Sequence, residues 1–179
     1  MPDIAFRTQP RRVVVVGASA CGKTTFARAL SQRIGTAHIE LDTMCFKRRW
    51  VPVPLNEFIR QVEAVMQNCD WIIDGNYAAV REIVWSRAQL AFWLDYSLLR
   101  RLRRLVWRAA RDGIRERRGR LVGLGLSIMW ALRTHYNRRR QLEELFARPR
   151  YAHLQVVRLR SPREEAEWLA PGRWESPFH

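Results

Sequence analysis

The strongest chemical signal in the chain is one short run, Gly17-Ala18-Ser19-Ala20-Cys21-Gly22-Lys23-Thr24, with Thr25 directly behind it. It fits G-x-x-x-x-G-K-[ST] in full, follows a β-branched run and opens a helical pattern, which is the context this motif needs. Gly17 and Gly22 let the backbone turn tightly around phosphate. Successive amides and the helix N-terminus then point at the anion. Gly17, Ser19, Ala20, Cys21, Gly22, Lys23, Thr24 and Thr25 are therefore expected to cradle the phosphates of a nucleoside triphosphate. Lys23 can reach the β- and γ-phosphates, and the Thr24 hydroxyl can ligate Mg²⁺.

The fate of the γ-phosphate must be read elsewhere. Asp42 follows a short apolar segment, and in a parallel sheet the strand ends border the ligand crevice. A carboxylate there suits an acceptor hydroxyl or a general base; a solvated loop residue is the plainer reading. Glu40 carries less weight, and His38 reads as a structural polar residue. Asp74 closes Trp71-Ile72-Ile73, the place for an acid near a Mg²⁺ ion opposite Thr24. Gly75 would let a ligand come close, with Asn76 and Tyr77 as substrate contacts. Lys47, Arg48 and Arg49 could hold an anionic acceptor group, and Trp50 could stack on a ring; a wet loop accounts for them equally well.

Phosphoryl transfer also needs positive charge around the moving group. Arg104, Arg108 and Arg111 form a helical stripe leading into a glycine-bearing segment. A short lid at 112–126 would exclude water from the site. The spacing leaves open which arginine reaches the phosphates, and Arg133 and Arg138 are further candidates. The expected catalytic set is Lys23, Asp42, Arg104, Arg108 and Arg111.

The elements that must position these residues alternate strand and helix. Arg12 to Val16 reads as a buried strand, and Lys23 to Gln32 as a helix through Phe26, Ala27 and Leu30. Ala37 to Leu41 is the second strand, followed by a loop holding Trp50, Pro52 and Pro54. Phe58, Val62, Val65 and Met66 share one face of a helix from about Leu55 to Gln67. Trp71 to Ile73 is the third strand, residues 80–88 a short helix, and Leu90 to Leu94 the fourth strand. A basic helix runs from Ser97, breaks at Asp112-Gly113 and Gly119 to Gly125, and resumes over residues 127–146. Leu154 to Leu159 is the fifth strand. Ser161-Pro162 with Glu164 and Glu165 starts a last helix. The expected fold is α/β: one domain over residues 1–179 with a mostly parallel sheet covered on both faces.

The bulk composition agrees. The chain has 179 residues, 47% of them apolar, enough for one real core. Cys21, Cys45 and Cys69 are odd in number and lack zinc-like pairing, so a reduced, cytoplasmic protein is expected. The longest mostly apolar stretch, Leu121 to Leu132, is too short for an ordinary transmembrane helix, so no stable membrane insertion is expected. That stretch reads better as buried packing or a dimer contact, leaving monomer and dimer both open. The net charge is +15, and Arg100 to Arg150 holds 16 arginines against Asp112, Glu116, Glu143 and Glu144, or +12. A field of that size attracts polyanions, so nucleic acid is an expected alternative partner through the basic 100–150 segment.

Taken together, these motifs resemble the small bacterial P-loop proteins of the adenylate kinase-like group often labelled topology modulation proteins. The resemblance rests on the Gly17–Thr24 motif, Ile39-Glu40-Leu41-Asp42, Phe46-Lys47-Arg48-Arg49-Trp50, Trp71-Ile72-Ile73-Asp74-Gly75-Asn76-Tyr77 and Phe92-Trp93-Leu94-Asp95, and runs from Arg12 to about Leu169. It implies a three-layer sandwich of the nucleoside monophosphate kinase type, with a parallel five-stranded sheet in 2-3-1-4-5 order. It implies ATP and Mg²⁺ as cofactors and a small-molecule acceptor. Adenine would lie near the ends of the fourth and fifth strands, beside Arg104 or Arg108 and the Ser161-Pro162 loop. Asn76-Tyr77 stands where adenylate kinases have phenylalanine, proline and an acceptor-binding arginine. Asp42 is similar to the acceptor-side aspartate of shikimate- and gluconate-type kinases, which phosphorylate hydroxyl groups. The expected activity is ATP-dependent phosphoryl transfer to a nucleoside, nucleotide or hydroxyl metabolite; the alternative is a nucleotide-dependent nucleic-acid-binding or regulatory protein.

Overall fold

A computed structural model of the chain describes residues 10–19, 21–47, 51–100, 103, 137–172 and 174. In chain order the first elements are β1 (Arg12–Gly17), α1 (Lys23–Ile34), β2 (His38–Glu40), α2 (Leu41–Cys45), β3 (Phe46–Lys47) and β4 (Val51–Pro52). They are followed by α3 (Leu55–Val65), β5 (Trp71–Asp74), α4 (Ala78–Trp85) and β6 (Leu90–Leu94). Residues 98–100 and 103 are helical, and α5 covers 137–146. A single 3₁₀ turn (Pro149–Tyr151), β7 (Gln155–Leu159) and α6 (Pro162–Trp168) complete the order.

Five strands form one sheet in the order β2-β5-β1-β6-β7, with every pairing parallel. Numbered among themselves, these strands run 2-3-1-4-5, as expected. The four valines of β1, Val13 to Val16, are fully buried because the strand has a neighbour on each edge and a helical layer on each face. Side chains alternate along a strand. Val14 and Val16 therefore pack with Phe58, Val62, Val84, Trp85, Leu142 and Leu145, the apolar sides of α3, α4 and α5. Val13 and Val15 pack on the opposite face with Phe26 and Leu30 of α1, Phe92, and Trp168 of α6. Each such side chain contributes about 1.5–3 kcal/mol when fully buried. Edge contacts tie α1 and α6 to one face of the sheet: Phe26 on Phe92 with ring centroids 4.9 Å apart, and Phe92 on Trp168 at 5.1 Å. On the other face Trp85 stacks on Phe146 at 4.9 Å.

Local signals held at the start of the last helix. Ser161 caps α6: its hydroxyl accepts the Glu164 amide at 3.3 Å, and the Glu164 carboxylate accepts the Arg160 amide at 2.9 Å. Two local readings differ. The second strand stops at Glu40, and Leu41 begins a five-residue helix because its side chain is buried against Gly75. The segment expected as a plain loop contains a small antiparallel hairpin, β3 with β4, closed by the Val53 amide on the Cys45 carbonyl at 2.9 Å. The expected lid at 112–126 and the apolar stretch Leu121 to Leu132 lie outside the described residues. No helix among the described residues is long and apolar enough to cross a membrane.

Candidate active site

The Gly17–Thr24 turn hangs from the central strand. β1 delivers Gly17 against the end of β6, so close that a Cβ there would lie 2.7 Å from the Leu94 carbonyl oxygen and 2.8 Å from Cys21 Sγ. Only glycine fits. Gly22 adopts φ 100°, a left-handed conformation, and caps α1 without a side chain. The first turn of α1 holds Lys23, Thr24 and Thr25 and no acid, so no side chain of that turn offsets its free amides and positive dipole end. The Lys23 ammonium donates to the Ala18 carbonyl at 3.2 Å, which keeps the cation over the turn. Cys21 is buried beneath the turn, and Ser19 is exposed on it.

Two adjacent strands bring a set of acids to this turn. Glu40 and Asp74 are register partners in β2 and β5, and Asp74 is also opposite Val15, two residues before Gly17. The Thr24 hydroxyl donates to Glu40 Oε1 at 3.4 Å. Asp74 is the buried carboxylate of the sheet, 3% exposed, and its Oδ2 lies 3.1 Å from His38 Nε2. The side chain in contact with Thr24 is thus Glu40, to which the sequence reading gave less weight. His38, read as structural, supports the expected metal-side acid. The missed signal is the period of two in His38-Ile39-Glu40, which puts His38 and Glu40 on one face. Among the described residues no three His, Cys, Asp or Glu side chains are grouped to hold a metal ion by themselves.

Asp42 falls in the first turn of α2, two residues beyond Glu40, where the Thr43 hydroxyl donates to the Glu40 carbonyl at 2.7 Å. Tyr77 Oη donates to Asp42 Oδ1 at 2.5 Å, and the Tyr77 ring stands edge-on to Phe58 of α3 with centroids 5.4 Å apart. Burial, then the Asp42 carboxylate, push the Tyr77 hydroxyl well above its ordinary pKa. Burial, then the Asp42 charge, also raise the pKa of the neighbouring Cys45 thiol, so it stays protonated near neutral pH. Gly75 makes this approach possible. With φ 126° it turns the chain out of β5, and a Cβ there would meet Leu41 Cβ at 3.0 Å. The next residue, Asn76, accepts from Arg81 Nε at 2.7 Å.

The structure therefore gathers Lys23 and Thr24 with Glu40, and Asp42 with Tyr77, around the C-terminal ends of β1, β2 and β5. Ala20, Arg49, Trp50, Arg104, Arg108, Arg111 and Arg133 lie outside the described residues. Arg138 is exposed near the start of α5 and lines a small cleft with Ala18, Asp95 and Arg139. At the ends of β6 and β7, where adenine was expected, Asp95 accepts two hydrogen bonds from Arg158 at 2.8 and 2.6 Å, and the Arg158 guanidinium lies 4.1 Å over the Trp93 ring.

No family model matches the chain, and no curated protein matches it. Solved structures do. The shikimate kinase from Acinetobacter baumannii, in complex with shikimate, is 16% identical over 94% of this chain and 95% of that chain, with a TM-score of 0.56. A gluconokinase from Sinorhizobium meliloti is 14% identical over 90% of this chain and 93% of that chain, with a TM-score of 0.50. Neither the topology-modulation group nor the adenylate kinases are singled out by these comparisons. What the chain shares with both proteins is the P-loop kinase fold, here a five-stranded parallel sheet with the Gly17–Thr24 turn on its central strand.

Proposed function

We propose that this protein is a Mg-ATP-dependent kinase that phosphorylates a small molecule. The observation that carries the reading is the complete Gly17–Thr24 turn between β1 and α1, with the Thr24 hydroxyl facing Glu40. Turn residues Gly17 to Thr25 would hold the donor phosphates through their amides, with Lys23 on the outer oxygens. The metal fits the residues present. Thr24 and Glu40 would offer hard oxygen donors on one side, and bound Mg²⁺, with a shell completed by phosphate and water, would neutralise charge on the donor phosphates. Asp74, held by His38, stands behind Glu40 and would order that water shell.

The acceptor would enter on the other side of the turn, over Gly75, Asn76 and Tyr77. Asp42 would receive the acceptor hydroxyl proton as its oxygen bonds to the γ-phosphorus and ADP leaves. The Tyr77 hydroxyl holds that carboxylate in place. Arg49, Trp50, Arg104, Arg108 and Arg111 remain proposals for acceptor and phosphate contacts. The test is a panel of acceptors with ATP and Mg²⁺, reading ADP release against the water-only rate. Release that never exceeds that rate removes the kinase reading.

A second reading is nucleotide-dependent nucleic-acid binding, motivated by the +12 excess between Arg100 and Arg150. Titration against duplex and single-stranded DNA at varied salt decides it, since binding through phosphates weakens steeply with salt. No binding at low salt removes it.

A further inference from the structure

The hydroxyl that meets Asp42 in this structure belongs to the chain itself. Tyr77 Oη donates to Asp42 Oδ1 at 2.5 Å, the relation an attacking hydroxyl needs to its base. Both residues come from beside the Gly17–Thr24 turn. The Gly75 amide donates to the Val15 carbonyl at 3.2 Å, two residues before Gly17. Tyr77 follows Gly75 by two peptides, a span of about 7 Å at most. Asp42 follows Leu41, whose side chain would meet a Cβ on Gly75 at 3.0 Å. The Tyr77 side chain is half-buried, its ring edge-on to Phe58 of α3, and that packing limits where its oxygen can go.

Other hydroxyls are placed differently. Thr24 faces Glu40, and Thr43 donates to the Glu40 backbone carbonyl, which takes up no proton. Tyr151 donates to Glu82 at 2.9 Å, but Arg150 already holds the same carboxylate oxygen at 2.8 Å.

We propose that Tyr77 is itself a phosphoryl acceptor: with ATP and Mg²⁺ bound and no small molecule present, the chain phosphorylates its own Tyr77 hydroxyl. This step rests on the kinase reading above. The Tyr77 oxygen bonds to the γ-phosphorus, the bond from that phosphorus to the β–γ bridging oxygen breaks, ADP leaves, and the phenol proton passes to Asp42. The product carries about −1.5 to −2 charge beside the Asp42 carboxylate and has lost the donor that held it. Repulsion between the two opens the contact, so the modified chain is a weaker kinase. A bound acceptor, with its own hydroxyl on Asp42, protects Tyr77.

The test is incubation of the full chain with γ-labelled ATP and Mg²⁺ without acceptor, followed by mass spectrometry of its peptides. Expected is a phosphate on the peptide holding Tyr77, formed at a rate per molecule independent of protein concentration. Tyr77→Phe should lose it, and Asp42→Asn should slow it roughly 100-fold or more. The wild-type peptide map decides the assignment even where a variant fails to fold by circular dichroism. An acceptor that raises ADP release above the water-only rate should slow the labelling. Turnover of such an acceptor with no phosphate on Tyr77 at any time overturns the assignment and leaves the kinase reading standing. Label passed from ATP to Lys23→Ala by added wild-type protein overturns the step within one chain. Labelled Tyr77 with no acceptor turned over upholds the assignment and removes the small-molecule reading. No label and no ADP release above the water-only rate removes both.

Discussion

The hydroxyl of Tyr77 donates to the carboxylate of Asp42, joining the loop after β5 to the first turn of α2. The two residues are 35 positions apart in the chain. Tyr77→Phe keeps the ring against Phe58 and removes only the donor. A several-fold fall in kcat/KM for the acceptor is expected, with the KM for ATP unchanged. Steady-state kinetics with each substrate varied in turn measures this, and an effect on ATP alone would contradict it.

The same contact predicts a pH dependence of stability. Burial, then Asp42, raise the pKa of the folded Tyr77 hydroxyl above its ordinary value of about 10. The unfolded chain therefore loses this proton first. Stability is full below about pH 10 and falls as pH rises above it toward the folded pKa. Tyr151 is raised in the same direction, by burial and then by Glu82. Urea denaturation across the alkaline range should show a decline that is shallower in Tyr77→Phe, by an amount reduced by solvent screening at this partly exposed site. An identical slope in the variant would refute the coupling.

Lys23→Ala removes the cation over the Gly17–Thr24 turn. Among the described residues its ammonium donates only to the Ala18 carbonyl, so the fold should survive. Phosphoryl transfer should fall on the order of 100- to 1,000-fold or more, as for other preorganised charges at a transition state. Unchanged turnover would sink the mechanism.

Gly17→Ala tests the close approach of β1 to β6. The added methyl would meet the Leu94 carbonyl oxygen, a backbone atom that can yield only by moving the strand. A loss of about 1–3 kcal/mol is expected, together with weaker ATP binding. Thermal unfolding and a nucleotide titration read the two effects separately. Wild-type values in both would show that the turn has room.

Glu40→Gln should raise the Mg²⁺ concentration needed for half-maximal activity several-fold while leaving stability nearly unchanged. Asp74→Ala differs, because it leaves His38 with its buried-side partner removed. A stability loss of about 1–3 kcal/mol is expected there in urea denaturation. Equal Mg²⁺ requirements in wild type and Glu40→Gln would exclude Glu40 from the metal side.

The fold was legible because its signals are local. Val13 to Val16 can only be a strand buried on both faces, and strand–helix alternation of this length requires parallel crossovers. Ser161, Pro162 and Glu164 announced the start of α6 by the chemistry of a helix end. The bounds of β2 were less legible, because Leu41 leaves the sheet to pack on Gly75, a residue 34 positions later.

By itself, then, the sequence determined the strand, glycine turn and helix from β1 to α1, since a motif of contiguous residues carries its own geometry. Asp42 and Asp74 were also identifiable, as acids at the ends of apolar runs. Which acid meets Thr24 was decided only by the register of β2 on β5, which sets Glu40 opposite Asp74 and within reach of α1. The pairing of Asn76 with Arg81 and the sharing of Asp95 between Arg139 and Arg158 were likewise tertiary outcomes. An arginine's charge is written in the sequence, but its counter-ion is chosen by whichever elements pack beside it.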